Sequence, residues 1–174
     1  MGYKIGSFNL RDFNFSNQSR DGEERIHRNF ELIARMILEE NFDVVALQEI
    51  NAPFALEHLT RILNQFKNIL REYQFDFGSD MPTHSKDPER YGFIWNCKRL
   101  RLLNTSKNNN PRYYTNAGAN ALIRPPYYGR FTARGMLGGS NFELRLVNIH
   151  IRDAVRVEDR ILEFNTLVKQ VLPR

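Results

Sequence analysis

Two residues that could bind a metal ion or a phosphate lie at the ends of predicted strands. Glu49 follows the apolar run at residues 44–47, and Asn9 lies near the end of a strand predicted over residues 3–10. Ligands of α/β proteins gather at the carboxyl ends of such strands. A carboxylate there suits Mg²⁺, which prefers few protein oxygens and several waters, and an Asn adds a neutral oxygen. Each residue alone is more commonly a solvated strand end or a turn former, but here both neighbouring strands end in such a residue.

A histidine at the end of a later strand could transfer a proton. Side chains alternate over residues 142–150, which places His150 on the same face as Leu144 and Leu146. Imidazole groups titrate near neutral pH, which suits a general acid or base. Such a base needs a carboxylate to orient it, and Glu89 and Asp153 are the candidates. From this pattern alone, a hydrogen-bonded structural histidine is at least as common.

Arginines that follow predicted strand ends could contact phosphate groups. Arg11, Arg124 and Arg152 occupy such positions, and a guanidinium group grips phosphate oxygens through two parallel hydrogen bonds. The chain has 25 Lys and Arg residues, so some of these placements arise by chance. Tyrosines interleaved with arginines at residues 112–130 could stack on nucleic acid bases, although paired tyrosines more often pack on edge strands.

The elements that must position these residues predict an α/β fold. Strand, helix, strand and helix alternate over residues 3–66, which indicates packed α/β layers. Pro53 suits the first turn of the second helix, with Asn51 as its cap. Further strands are predicted at 73–77, 91–95, 100–102, 121–123, 127–133 and 142–148.

The connections between these strands, and the end of the chain, are also predicted. Residues 104–120 are interpreted as a loop and residues 138–141 as a hairpin turn. The Asp-Phe-Asn run at residues 12–14 is interpreted as a loop without a catalytic role. A last helix is predicted over residues 157–172, with an apolar stripe formed by Val157, Ile161, Phe164, Val168 and Leu172.

The bulk composition describes a globular chain with a basic surface. Its 174 residues suit one core-bearing domain, and 41% hydrophobic with 26% charged residues argues against disorder. The net charge of +5 suits a polyanionic partner such as DNA or another nucleic acid. A single cysteine precludes an internal disulfide. Neither a signal peptide nor an apolar run of about 20 residues is seen, so we expect a cytoplasmic protein without a membrane partner.

Five motifs, in order and with matching spacing, resemble one known family. They are Ser-Phe-Asn-Leu-Arg at 7–11, Val-Val-Ala-Leu-Gln-Glu-Ile at 44–50, Glu-Arg-Tyr-Gly-Phe-Ile-Trp at 89–95, Arg-Pro-Pro at 124–126 and Leu-Val-Asn-Ile-His at 146–150. Together they resemble the endonuclease/exonuclease/phosphatase family, most closely its deoxyribonuclease-I-like branch. This resemblance implies an α/β four-layer sandwich, here mainly its first mixed β-sheet with flanking helices.

The resemblance also implies an activity and roles for the residues above. It implies a metal-dependent phosphodiesterase that hydrolyses DNA, with Mg²⁺ as cofactor and Mn²⁺ or Ca²⁺ as alternatives. The implied roles are metal or phosphate binding by Asn9 and Glu49, proton transfer by His150, orientation of that ring by Glu89, and phosphate contacts by Arg11 and Arg124. The alternatives are a phosphatase, a lipid or nucleotide phosphodiesterase of the same fold, and a non-catalytic nucleic-acid-binding remnant.

The sequence departs from the family pattern in two ways. Asp87 stands where the closest members of the family place a Tyr before the Glu-Arg-Tyr run. The Gly-Asp-Phe-Asn and Ser-Asp-His motifs of the family's second half do not occur after His150. We therefore expect residues 1–174 to form a single, C-terminally incomplete domain whose second sheet begins beyond the chain. The exposed sheet would then need a second chain or a self-oligomer to cover it.

Overall fold

Two β-sheets lie face to face between helices in the computed structural model. It describes residues 2–13, 30–66, 70–78, 89–103, 111–114, 122, 124–134, 142–151 and 156–171. The first sheet has four strands in the order β1-β2-β4-β3, formed by β1 (Ile5–Phe13), β2 (Val44–Ile50), β3 (Tyr73–Phe77) and β4 (Arg90–Asn96). β1 runs parallel to β2, whereas β4 is antiparallel to both β2 and β3, so the sheet is mixed.

The second sheet is antiparallel and is built around one long strand. Its strands are β5 (Leu100–Leu102), β6 (Arg112–Tyr113), β7 (Tyr127–Ala133) and β8 (Glu143–Asn148). β5 and β6 pair with the two ends of β7, and β8 pairs along its length. The prediction that residues 104–120 form only a loop is wrong at β6, because Tyr113 pairs with Tyr127.

Apolar side chains from the two sheets form one core between them. Phe93 and Trp95 of the first sheet pack in one cluster with Phe131, Leu144 and Leu146 of the second sheet. The expectation that the second sheet begins beyond residue 174 is therefore wrong. The apolar face of the first sheet is covered by strands of this same chain, so the expected reason for a second chain does not hold.

Helices cover the outer faces of both sheets. The helices α1 (Phe30–Glu39) and α2 (Pro53–Gln65) pack on the first sheet through a second apolar cluster. The helix α3 (Val157–Thr166) continues into a π-helical turn (Leu167–Val171). Leu167 and Val171 pack against Val147 and Ile149, which alternate with the inward-facing residues of β8. The predicted four-layer α/β sandwich is confirmed.

The predicted cap of α2 is wrong by one residue. Pro53 begins the helix as predicted, but the residue before it is Ala52, in extended conformation and without a side-chain cap. Asn51 directly follows β2, and its backbone N–H donates to the carbonyl of Phe13 at the end of β1 over 3.0 Å. The same pairing corrects the loop predicted at residues 12–14, because β1 extends to the fully buried Phe13.

The predicted apolar stripe of the last helix is not its buried face. Val157, Ile161, Phe164 and Val168 are exposed, whereas Glu163, Thr166, Leu167 and Val171 are buried. Apolar residues surround this helix on several sides, and the π-helical turn changes the phase of its buried face, so helical spacing alone did not identify it. No helix of the described residues is long and apolar enough to cross a membrane.

Some predicted features lie outside the described residues. They are most of the loop at 104–120, the flanks of the predicted strand at 121–123, the hairpin turn at 138–141, and the side chains of Asn14, Asp87, Arg152, Asp153 and Leu172.

Two register shifts at one edge of the first sheet redirect its strand ends. The β1–β2 pairing shifts between Asn9 and Phe13, and the β2–β4 pairing shifts between Leu47 and Ile50. Glu49, inside the second shift, has a φ of 59°. Such irregularities bend a strand and change where its side chains point. The side chain of Glu49 therefore leaves the plain alternation of β2.

A buried network of side-chain amides joins the two sheets beside these shifts. The Asn148 amide donates to the carbonyls of Leu47, over 2.9 Å, and Gly92, over 3.2 Å. The Gln48 amide donates to Asn148 Oδ1 over 2.5 Å and also to the Ser7 hydroxyl over 3.2 Å. Asn148 is 2% exposed, so its hydrogen bonds satisfy polar groups that water does not reach. This network fixes the end of β8 against β2 and β4.

Removing the Asn148 amide should strongly destabilise the fold. Asn148→Ala leaves the carbonyls of Leu47 and Gly92 and the Gln48 amide without this partner, and each buried unsatisfied group costs about 1–3 kcal/mol. We expect the free energy of unfolding, measured by urea denaturation, to fall by about 3 kcal/mol or more. Asn165→Ala, on an exposed position of α3, serves as control. Equal effects of the two substitutions would contradict the assignment.

The left-handed backbone at Glu49 should make glycine more stable there than alanine. A side chain with a β-carbon costs roughly 1–2 kcal/mol in this conformation, which glycine adopts freely. We expect Glu49→Gly to exceed Glu49→Ala in free energy of unfolding by about 1 kcal/mol. The same pair at Glu57, an exposed residue within α2, should show the opposite order, because glycine weakens a helix. Alanine more stable than glycine at position 49 would refute the strained conformation.

Candidate functional site

Three titratable side chains converge where β2, β4 and β8 meet. Glu49 lies near the end of β2, Glu89 directly precedes β4, and His150 follows β8 by two residues. One ligand atom from each lies within 4.8 Å of the other two. The His150 ring lies between the carboxylates, with Nε2 3.5 Å from Glu49 Oε1 and Nδ1 3.4 Å from Glu89 Oε2.

The strand directions explain why these residues meet. β4 is antiparallel to β2, so the residue before β4 lies beside the end of β2. β8 reaches the same place from the second sheet, because Asn148 is bonded to the backbone of both Leu47 and Gly92. The three side chains are partly buried, at 13% exposure for each carboxylate and 21% for the imidazole. Interactions between charges are stronger there than at an open surface.

Asn9 supports Glu49 from the neighbouring strand. Its Nδ2 donates to Glu49 Oε1 over 2.6 Å, and its Oδ1 accepts from the backbone N–H of Arg11 over 2.8 Å. These partners distinguish the oxygen of the Asn9 amide from its nitrogen, because a backbone N–H needs an acceptor and a carboxylate needs a donor. The structure thus places Asn9 beside Glu49 with its oxygen bonded to the backbone. Its predicted metal-binding role stays a prediction.

The two predicted phosphate-binding arginines lie in different surroundings. Arg124 Nη2 is 2.6 Å from Glu89 Oε2, in an ion pair whose side chains are 15% and 13% exposed. The same Glu89 oxygen also faces His150, so the arginine and the imidazole share one carboxylate oxygen. Arg11 is exposed and has a φ of 40° beside the first register shift. Among the described residues, Arg124 contacts the group formed by Glu49, Glu89 and His150, whereas the structure gives no contact between this group and the Arg11 side chain.

The donor set of this group fits a divalent cation. Two carboxylates offer the hard oxygen ligands that Mg²⁺, Mn²⁺ and Ca²⁺ prefer, and an imidazole nitrogen suits transition metals. Glu89 already faces Arg124, whereas Glu49 is supported by a neutral amide. Glu49 is therefore the carboxylate best suited to hold a cation.

Sequence reasoning missed three contacts that hold the site. They are the Gln48–Asn148 bond, the ion pair between Arg124 and Glu89, and a hydrogen bond from the backbone of His150 to the hydroxyl of Tyr91. One signal was available for the first, because Asn148 falls on the apolar face of a predicted strand and a buried amide needs a partner. The other two depend on contacts between distant segments.

The fold is shared with solved structures, although neither a protein-family model nor a curated protein matches the sequence. A mannosyl-6-phosphatase from Bacteroides thetaiotaomicron superposes with a TM-score of 0.61 at 19% identity, covering 96% of this chain and 58% of that one. An endonuclease/exonuclease/phosphatase family protein from the same organism gives 0.59 at 18% identity, covering 95% and 56%. A humanized form of TDP2 from D. rerio gives 0.58 at 16% identity, covering 97% and 56%.

These likenesses extend over nearly all of this chain, and the chain spans 56% to 58% of the length of the three structures. They agree with the mixed α/β architecture described above. At these identities the likeness is one of fold. The resemblance predicted from the sequence is confirmed at that level, and the chain has the fold of endonuclease/exonuclease/phosphatase proteins.

Proposed function

We propose that this group of residues is the catalytic centre of a metal-dependent hydrolase of phosphate esters, with DNA phosphodiester bonds as its substrate. The observation that carries the proposal is the convergence of Glu49, Glu89 and His150, whose ligand atoms lie within 4.8 Å of one another. An imidazole between two carboxylates at a partly buried rim combines a proton-transfer group with cation ligands. Phosphate ester hydrolysis needs both, because a proton must move and negative charge must be neutralised.

The position of Glu89 supports a proposed role for each nitrogen of His150. A neutral imidazole carries a proton on one nitrogen and a lone pair on the other. Glu89 Oε2 lies 3.4 Å from Nδ1, and the proposed role of this carboxylate is to favour the proton on Nδ1 and to orient the ring. Nε2 then carries the lone pair and faces Glu49. His150 is thus arranged to accept a proton at Nε2 from an attacking water, or to return it to a leaving oxygen.

Glu49 and Asn9 are proposed to form the cation side of the site. The amide of Asn9 donates to Glu49 Oε1 and keeps that carboxylate at the rim beside the imidazole. Glu49 would hold a divalent cation, with Mg²⁺ as the first candidate, and such an ion would supply positive charge against the phosphate oxygens. The left-handed backbone at Glu49 keeps the carboxylate in this direction at a cost in stability, as is common at functional sites.

The positive charge near the group supports a phosphate substrate. Arg124 lies against Glu89, where a bound phosphate oxygen could share its guanidinium group. Arg11 follows Asn9 on an exposed position and is proposed to contact phosphate groups along the substrate. The net charge of +5 favours a polyanion over a small neutral ligand. These features support DNA or another nucleic acid as the partner.

A phosphomonoester is the second candidate substrate. One of the solved structures with this fold is a mannosyl-6-phosphatase, and the same fold hosts different functions in different proteins. Because the chain spans only 56% to 58% of the three structures compared, their activities are proposals for this chain. A contribution from a second chain or a second copy also stays a prediction.

The proposed roles predict which substitutions stop the reaction. Nicking of supercoiled plasmid with Mg²⁺ should fall by about 10²–10⁴-fold in His150→Gln, because proton transfer by a positioned side chain contributes that much. Glu49→Gln should cause a similar loss through the cation. Two matched controls on α2, His58→Gln and Glu57→Gln, should cut at the wild-type rate, since both residues lie outside the group.

Parallel assays with a sugar 6-phosphate and with plasmid separate the two candidate substrates. Hydrolysis of the phosphomonoester alone would replace the DNA assignment but keep the site. Plasmid cutting unchanged by both His150→Gln and Glu49→Gln would remove these residues from catalysis. If the wild-type chain hydrolyses neither substrate, the catalytic proposal fails for residues 1–174.

Cation binding should depend on Glu49 more than on Glu89. Isothermal titration with Mn²⁺ should show affinity reduced at least about tenfold in Glu49→Gln, because the charged ligand is lost. Glu89→Gln should weaken binding less, since Arg124 already neutralises that carboxylate. Asn9→Ala should give an intermediate loss, because Glu49 keeps its charge but loses its support. The reverse order of Glu49 and Glu89 would contradict the assignment of the cation ligand.

A further inference from the structure

A buried tyrosine hydroxyl holds the backbone of the candidate catalytic histidine. The backbone N–H of His150 donates to the Tyr91 hydroxyl over 2.9 Å. Tyr91 lies in β4 and is 1% exposed. It follows Glu89 by two residues, so the start of β4 and the residue just before it supply both the hydroxyl that binds the His150 backbone and the carboxylate that faces its imidazole.

The hydroxyl takes the place of a strand partner that β8 no longer has at this point. The pairing of β8 with β7 ends at Asn148, which pairs with Tyr127. Two residues later the N–H of His150 is partly buried, and an unpaired N–H there would carry a desolvation cost. The Tyr91 hydroxyl satisfies it and so determines where the chain runs after the strand.

The Tyr91 ring is held firmly enough to serve as a fixed point. It stacks on Tyr127, with centroids 6.4 Å apart and planes inclined by 9°, and it contacts Tyr113 at 6.0 Å. Burial raises the pKa of the Tyr91 hydroxyl above its usual value, which keeps the group neutral in ordinary buffers. A neutral hydroxyl accepts from the His150 N–H with one lone pair and keeps its own proton.

We propose that Tyr91 is a positioning residue for His150, and that its hydroxyl keeps the imidazole between Glu49 and Glu89. This inference rests on the proposed function for its catalytic consequence, whereas the positioning itself is a structural statement. Glu89 directly precedes β4 and Tyr91 is the second residue of that strand, so the short backbone segment between them limits how far the hydroxyl and the carboxylate can separate. Loss of the hydroxyl leaves Glu89 in place and lets His150 move relative to it.

If Tyr91 had a purely structural role, Tyr91→Phe would behave like other variants that lose a backbone-bonded hydroxyl. Matched variants separate this case from the proposed one. Tyr91→Phe keeps the ring and its stacking but removes the hydroxyl. Tyr73→Phe is the distant control, because Tyr73 is 2% exposed and its hydroxyl donates to the Phe42 carbonyl over 3.2 Å. Tyr113→Phe is the adjacent control, because its hydroxyl donates to the Gly78 carbonyl over 2.8 Å. Each variant loses a hydroxyl that bonds the backbone of a distant segment.

Two measurements on the 174-residue chain test the proposal. The first is the NMR signal of the His150 ring, which a His150→Gln spectrum identifies among the 4 histidines. The second is kcat and KM for plasmid nicking. We expect the His150 ring signal to shift or broaden only in Tyr91→Phe. We also expect kcat to fall about 10- to 100-fold with KM within about twofold, as for a displaced catalytic group.

The proposal is overturned if Tyr91→Phe matches Tyr73→Phe and Tyr113→Phe in both the His150 signal and kcat. If the wild-type chain does not cut DNA, the NMR signal alone decides. A shift confined to Tyr91→Phe then supports the positioning while the proposed function fails. If Tyr91→Phe does not fold, amide hydrogen exchange in the wild-type chain decides instead. Slowing of the His150 amide by at least about tenfold supports the bond, and exchange at the rate of an open chain refutes it.

Discussion

The hydrogen bonds of Asn148 with Gln48 and with the backbone of the first sheet join the two sheets beside the candidate site. Apolar packing between sheets is non-directional, so it does not by itself fix how one strand end lies against another. The Asn148 amide does so, because it must satisfy the carbonyls of Leu47 and Gly92 at the same time. Gln48 is adjacent to Glu49, and Asn148 precedes His150 by two residues. The network therefore sets the separation of the carboxylate and the imidazole, which come from different sheets.

Irregularities in the surrounding strands set the direction in which the reactive side chains point. Register shifts on both sides of β2 and the left-handed backbone at Glu49 bring its carboxylate beside the imidazole instead of leaving it in the alternation of the strand. Each irregularity costs stability in a single residue and is supported by regular pairing on either side. The core that supplies this support lies on both faces of the first sheet, between it and the helices and between it and the second sheet. The candidate site thus includes strained backbone at Glu49, which a well-packed core on both faces of the first sheet supports.

The sequence predicted the parts of the fold that depend on local patterns. The strands β4, β7 and β8, the buried run of β2, and Pro53 at the start of α2 are all found where predicted. The strands β7 and β8 were predicted, but they were not assigned to the second sheet, which was expected to begin after residue 174. The prediction of the buried face of α3 was wrong because apolar residues lie on several sides of this helix. Strand ends identified Asn9, Glu49 and His150 as candidates, but the hydrogen bond of Tyr91 and the ion pair of Arg124 depend on tertiary contacts that spacing does not encode.

We propose that side chains at the ends of β2, β4 and β8 form one cation-binding rim. A crystal structure of the chain grown with Mn²⁺, in which anomalous scattering locates the ion, tests this claim most directly. We predict an ion bound by the Glu49 carboxylate, with His150 between Glu49 and Glu89 and Asn148 bonded to both strands beneath it. An ion bound elsewhere, with Glu49, Glu89 and His150 pointing toward separate edges of the sheets, would contradict the account.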